Sequence, residues 1–110
     1  MKRIEYHKLV RDRIPEIIES SGRTAVCAVL SPRDYIAMLD QKLDEELAEY
    51  QESKSMEELA DLLEVISAVA QARGSSVEEV NAIRQRKKEK RGGFEKRILL
   101  EEVIEQDESL

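Results

Sequence analysis

Tryptophan is absent and cysteine occurs once, as Cys27. A lone thiol excludes an internal disulfide and fits a reducing compartment. Aromatic residues make up 4% of the chain, so few side chains are available to stack on a base. The longest apolar run is Val26-Cys27-Ala28-Val29-Leu30. That is far short of the roughly 20 residues needed to span a bilayer. Met1-Lys2-Arg3-Ile4-Glu5-Tyr6-His7-Lys8 leads into more charge instead of an apolar stretch, so no secretory leader is expected. A cytoplasmic location and no membrane partner are the expectations that follow. Basic residues are also outnumbered, 18 against 24 acids, for a formal charge of −6. That balance argues against a nucleic acid polymer as partner.

Present in the sequence is helical periodicity. The chain has 110 residues, enough for one domain, and only two prolines and four glycines interrupt it. Charged residues at 38% sit beside 41% hydrophobic residues in a regular pattern, which argues for folding over disorder. A chain of this size buries only about two thirds of its unfolded surface, so an oligomer is a natural expectation.

The pattern predicts four helices. The first starts near Arg13, with Asp12 as cap and Pro15 in the first turn, and stops at Ser21-Gly22. Residues 24–30 read as a short extended segment. Ser31 and Pro32 open a second helix that runs to about Ser53, with Ile36, Leu39, Leu43, Leu47 and Tyr50 as its apolar stripe. Ser55 and Glu58 form a capping box that opens a third helix, which Gly74 stops. A second box, Ser76 with Glu79, opens a fourth helix ending near Gly92-Gly93. Residues 94–110 mix Ile98, Leu99, Leu100, Val103 and Ile104 with acids and read as a packed strand or arm that frays at its end. The very short link between helices two and three makes them antiparallel neighbours. The expected fold is all-α: a small bundle built around that helix hairpin, as a single domain over residues 1–110.

Acidic pairs three residues apart are cheap in this composition; 24 acids among 110 residues give about five by chance. Position on the wheel is what singles two of them out. Glu46 falls about 60° and Glu49 about 120° from the centre of the second helix's stripe. Glu58 and Asp61 fall about 80° and 140° from the centre of the third helix's stripe, Leu59, Leu62, Leu63, Ile66, Val69 and Ala70. Val65, Ala68 and Ala72 continue the flank of Glu58 and Asp61, so the third helix is apolar on two sides. A carboxylate on such a flank needs compensation. The turn brings all four acids to one end of the hairpin, where they suit Mg²⁺, or Mn²⁺, as hard oxygen ligands. Mg²⁺ held by a few carboxylates usually also meets substrate phosphates, which points to a nucleotide.

Four segments together resemble a known family. They are Tyr6-His7-Lys8-Leu9-Val10-Arg11-Asp12-Arg13-Ile14-Pro15-Glu16, Glu46-x-x-Glu49, Glu57-Glu58-Leu59-Ala60-Asp61-Leu62-Leu63-Glu64-Val65 and Lys90-Arg91-Gly92-Gly93-Phe94-Glu95-Lys96-Arg97. In this order they resemble the MazG-like and phosphoribosyl-ATP pyrophosphohydrolase-like proteins of the all-α nucleoside triphosphate pyrophosphohydrolase superfamily. The resemblance implies a helical bundle, usually a homodimer or homotetramer. It implies Mg²⁺-dependent cleavage between the α and β phosphates, to a monophosphate and pyrophosphate, in a branch described as house-cleaning enzymes for noncanonical nucleotides. The superfamily's metal motif, E-x-x-E followed by E-x-x-D, falls on Glu46, Glu49, Glu58 and Asp61, with a shorter gap than in the better-studied members.

On that basis the four acids hold the metal, and Glu49 is either a ligand or a general base. His7 is the only histidine and Cys27 the only cysteine, so no nucleophile–histidine set is available and water attacks directly. The triphosphate also needs cations. Lys87, Lys90 and Arg91 are candidates within the basic stretch from Arg84 to Arg97, and Lys8, Arg11 and Arg13 near the other end form a second set. Cys27 is expected as a small buried hydrophobe and Phe94 as a modest stacking candidate. Two other functions remain open on the sequence: hydrolysis of phosphoribosyl-ATP, and a non-catalytic helical interaction module.

Overall fold

The computed structural model describes residues 1–107. Four helices form in it: α1 (Ile14–Ser20), α2 (Pro32–Ser53), α3 (Met56–Ala72) and α4 (Val77–Arg91). Among the described residues there is no strand. The local chemistry of the helix starts is direct. Ser31 Oγ accepts from the Asp34 amide, Ser55 Oγ from Glu58 and Ser76 Oγ from Glu79, each satisfying a donor the helix leaves orphaned. The boxes are one-sided, however. Glu79 accepts from the Ser75 hydroxyl at 2.7 Å, and the Ser55 amide donates to Ser53 Oγ. α3 ends in a Schellman motif. The Ser75 amide donates to the Ala70 carbonyl and the Gly74 amide to Gln71, with Gly74 at φ +85°.

Four expectations are corrected here. Asp12 does not cap α1; Arg13 occupies that position and no side chain caps it. Residues 24–30 carry no ladder hydrogen bonds, Val26 and Val29 are open to solvent, and Cys27 is exposed instead of buried. Among the described residues this short stretch has no neighbouring strand to pair with, and its two outward valines have nothing to pack on. Residues 94–107 pack on nothing: Phe94, Ile98, Leu99, Leu100, Val103 and Ile104 are all largely exposed. The last three residues of the expected arm lie outside the described ones.

α2 and α3 are joined by Lys54 and Ser55 alone, with Lys54 in the left-handed region at φ +57°. They pack side by side, and α4 packs on α3. As numbers rise along α2, its partners on α3 fall: Asp40 pairs with Arg73, while Glu46 lies beside Glu58 and Asp61. α1 packs on none of the other helices. The buried set is small, namely Leu39 on α2 and Val65 and Ala70 on α3, with Glu46 as the buried charged residue. The seam between α2 and α3 therefore runs through the flank that carries Glu58, Asp61 and Val65. Parts of the two apolar stripes stay outside the seam, Leu63 at 58% and Leu47 at 46% exposed, although Leu39 and Ala70 are buried. No helix among the described residues is long and apolar enough to cross a membrane.

Candidate metal centre

Glu46 arrives at the seam because it lies seven residues, two helical turns, after Leu39 on α2. It is 7% exposed. Glu58 and Asp61, three apart on the first turns of α3, project to the same side. One carboxylate oxygen from each of Glu46, Glu58 and Asp61 lies within 4.8 Å of the other two. Two of the oxygens at this point, Glu46 Oε2 and Glu58 Oε2, are shut off from solvent and accept no hydrogen bond. Buried carboxylate oxygens are ordinarily bonded, so two without a hydrogen-bond partner are unusual.

The electrostatics reflect the same crowding of carboxylates. Burial pushes the Glu46 carboxyl above its usual range, and the negative charges of Glu49 and Asp61 add to that while Lys42 opposes it. Glu58 is raised too, again first by desolvation, then by the charge of Glu49 and a side-chain hydrogen bond shared with it, then by Asp61 and Glu46. The residue as a whole is half-buried while Oε2 itself is closed off, which is why loss of hydration leads. Glu49 sits exposed at the edge of the group and is not among the three converging oxygens, although its charge acts on both Glu46 and Glu58.

Cations surround the rim. Lys42 Nζ is 3.6 Å from Glu46 Oε1 and 3.9 Å from Glu45. Sequence reasoning missed Lys42, though its i,i+4 spacing to Glu46 was the available signal. Arg11 Nη2 donates to Asp61 Oδ1 at 2.7 Å, and Lys8 Nζ is 3.5 Å from Glu45. The segment before α1, which the sequence offered as one source of phosphate contacts, is thus laid against the acidic end of α2 and α3. The other offered source is not brought there: Lys87, Lys90 and Arg91 line an open cavity of about 470 Å³ with Ile83 and Arg86, and that lining contains none of the four acids. Lys88, beside them, pairs with Glu95 at 3.6 Å. His7 pairs only with Glu5, at 3.5 Å on the surface.

The donor set fits a hard divalent cation: three carboxylates, no sulfur and no imidazole, with two oxygens lacking any partner. No family model matches the chain. No solved structure matches it. A protein of Mycolicibacterium smegmatis described as an uncharacterized protein is 64% identical over 42 residues, which cover 38% of this chain and 43% of that relative. The chain is thus matched over less than half the length of that relative.

Proposed function

We propose that the chain is a Mg²⁺-dependent nucleotide pyrophosphohydrolase. On this reading it converts a nucleoside triphosphate, noncanonical ones included, to the monophosphate and pyrophosphate. The observation that carries the proposal is the pair of orphaned, closed-off oxygens on Glu46 and Glu58 with Asp61 alongside. The order of the four sequence segments and the all-helical fold, with α2 and α3 as an antiparallel hairpin, support it.

Glu46, Glu58 and Asp61 would hold Mg²⁺, with Mn²⁺ as a substitute. When bound, the metal supplies charge neutralisation for the phosphate oxygens and a more acidic water. The remaining work falls to the chain's own residues. Glu49, exposed at the rim, would take a proton from a water attacking the α-phosphorus. Arg11 and Lys8 present cations at the same end and can exchange a carboxylate partner for a phosphate oxygen, since both are half exposed. Lys42 stays with Glu45 and Glu46 and holds the cluster's net charge down. Cys27 is exposed on the irregular segment before α2 and His7 pairs with Glu5, so neither belongs to a nucleophile set in this site.

The test is a panel of canonical and modified nucleotides incubated with Mg²⁺, reading pyrophosphate against orthophosphate. Pyrophosphate release that chelation abolishes and Glu58→Gln removes is the expected result. Full turnover by a folded Glu58→Gln variant would end the metal assignment. An interaction module would tolerate that substitution and give no turnover on any nucleotide.

A further inference from the structure

Little ties residues 1–30 to the helices that follow. α1 packs on none of them, and among the described residues no backbone hydrogen bond joins residues 1–30 to α2, α3 or α4. Two ion pairs make the polar link, Arg11 to Asp61 and Lys8 to Glu45. Leu9, between them, is half-buried, and the rest of residues 1–13 is exposed. Both pairs land on the candidate metal centre. Asp61 is one of its three converging carboxylates, and Glu45 stands next to Glu46.

Two cations therefore touch the converging carboxylates, and they differ in freedom. Lys42 sits one turn before Glu46 on the same helix, with its side chain 20% exposed. Arg11 stands on an irregular segment, with its side chain 59% exposed and that of Asp61 43%. Water and salt screen a pair between such groups, so it is weak even at 2.7 Å. Arg11 is the counter-ion that can leave, and Lys42 is the one that stays.

We propose that Arg11 is an internal stand-in for the metal: it holds Asp61 before an ion arrives and gives Asp61 up when the ion binds. The inference rests on the metal reading above. A guanidinium and a divalent cation at one carboxylate repel each other, and the weaker, more exposed partner yields. Residues 1–13 then stay attached through Lys8 and Leu9, while the freed guanidinium pairs with a phosphate oxygen of the incoming ligand. Every cation ends the exchange on an anion, so no charge is left unpaired.

Removing Arg11 therefore acts in opposite directions on two ligands. Mg²⁺ alone loses a competitor, and a polyphosphate loses a partner. A residue that only steadied Asp61 would weaken the binding of both. Isothermal titration calorimetry on the full chain reads the two affinities, first with Mg²⁺ alone and then with inorganic tripolyphosphate added to the Mg²⁺-saturated chain. Arg11→Ala is expected to bind Mg²⁺ about threefold more tightly, or better, than the unaltered chain. It should bind tripolyphosphate about tenfold more weakly. Arg11→Lys keeps the positive charge and should return the Mg²⁺ affinity to near the unaltered value. Lys8→Ala should leave Mg²⁺ affinity unmoved, because Glu45 is not among the three converging carboxylates. Tighter Mg²⁺ binding by Arg11→Ala itself shows that the variant folds. Equal or weaker Mg²⁺ binding by that variant, or an unchanged tripolyphosphate affinity, overturns the exchange and leaves the metal centre standing. Failure of the unaltered chain to take up Mg²⁺ removes the metal reading, and the exchange with it.

Discussion

Glu46→Gln separates a metal ligand from a structural ion pair. The Lys42 ammonium lies 3.6 Å from Glu46, an attraction of about 5 kcal/mol at an effective dielectric of 20. An Asp61 oxygen at up to 4.8 Å repels it by about 3.5 kcal/mol on the same footing. These nearly cancel, and the Glu49 charge and the lost hydration then decide, which is why the carboxyl titrates above its usual range. Without metal, the charged form therefore opposes folding at neutral pH, and Glu46→Gln should melt no lower than the unaltered chain. With Mg²⁺ the order should invert. At 100 times its dissociation constant a bound ion adds about 2.7 kcal/mol, worth about 10–20 °C in a domain of this size. Loss of one ligand weakens affinity by about 10- to 100-fold or more, by comparison with the effect of removing supporting residues. The variant should then gain at most about 0.4–1.4 kcal/mol at the same Mg²⁺. Circular dichroism melts with and without Mg²⁺, at fixed protein concentration, read both quantities. An unaltered chain that Mg²⁺ leaves unmoved refutes the reasoning. So does a variant that loses stability without metal, for that is the behaviour of a Lys42 ion pair and nothing more.

Three further outcomes are expected. Glu46 and Glu58 both titrate above their ordinary 4.5 when folded, so the folded chain holds protons that the unfolded chain releases. Their contribution to metal-free stability is therefore complete at pH below 4.5 and is lost as pH rises through the folded values, while Mg²⁺ affinity climbs over the same window. Melts and Mg²⁺ titrations across that range read the two opposite slopes, and parallel slopes would contradict the site. Arg11→Ala breaks a half-exposed ion pair and should cost less than about 1 kcal/mol. It should nonetheless raise KM for a triphosphate by tenfold or more; an unchanged KM would make Arg11 a salt-bridge residue alone. Ser55→Ala removes the acceptor for the Glu58 amide and should cost about 1 kcal/mol in a thermal melt, while Ser20→Ala, whose hydroxyl bonds only the Ile17 carbonyl, should cost less.

The helix boundaries were legible in the sequence because they depend on local chemistry. Ser31, Ser55 and Ser76 each bond the amide three residues on, and Gly74 takes the left-handed conformation that ends α3. Asp12 misled because its neighbour Arg13 took the cap position, a choice of one residue that spacing does not resolve. Lys42 was overlooked for a different reason. Its helical partner Glu46 was read for its relation to the apolar stripe, not for what stood one turn before it.

The larger difference concerns which face of α3 meets α2. A wheel centred on Leu59, Leu62, Leu63 and Ile66 makes Asp61 an outer residue, yet Asp61 and Val65 stand at the seam and Leu63 lies open. A hydrophobic stripe reports that a face is covered, not by what. Within one chain the pairing of α2 and α3 is short of apolar contacts: it buries Leu39 and Val65 but also a charged Glu46. A seam that closes over carboxylates while leucines stay outside is poorly stabilised on its own. The metal proposed above would give those carboxylates the partner they lack.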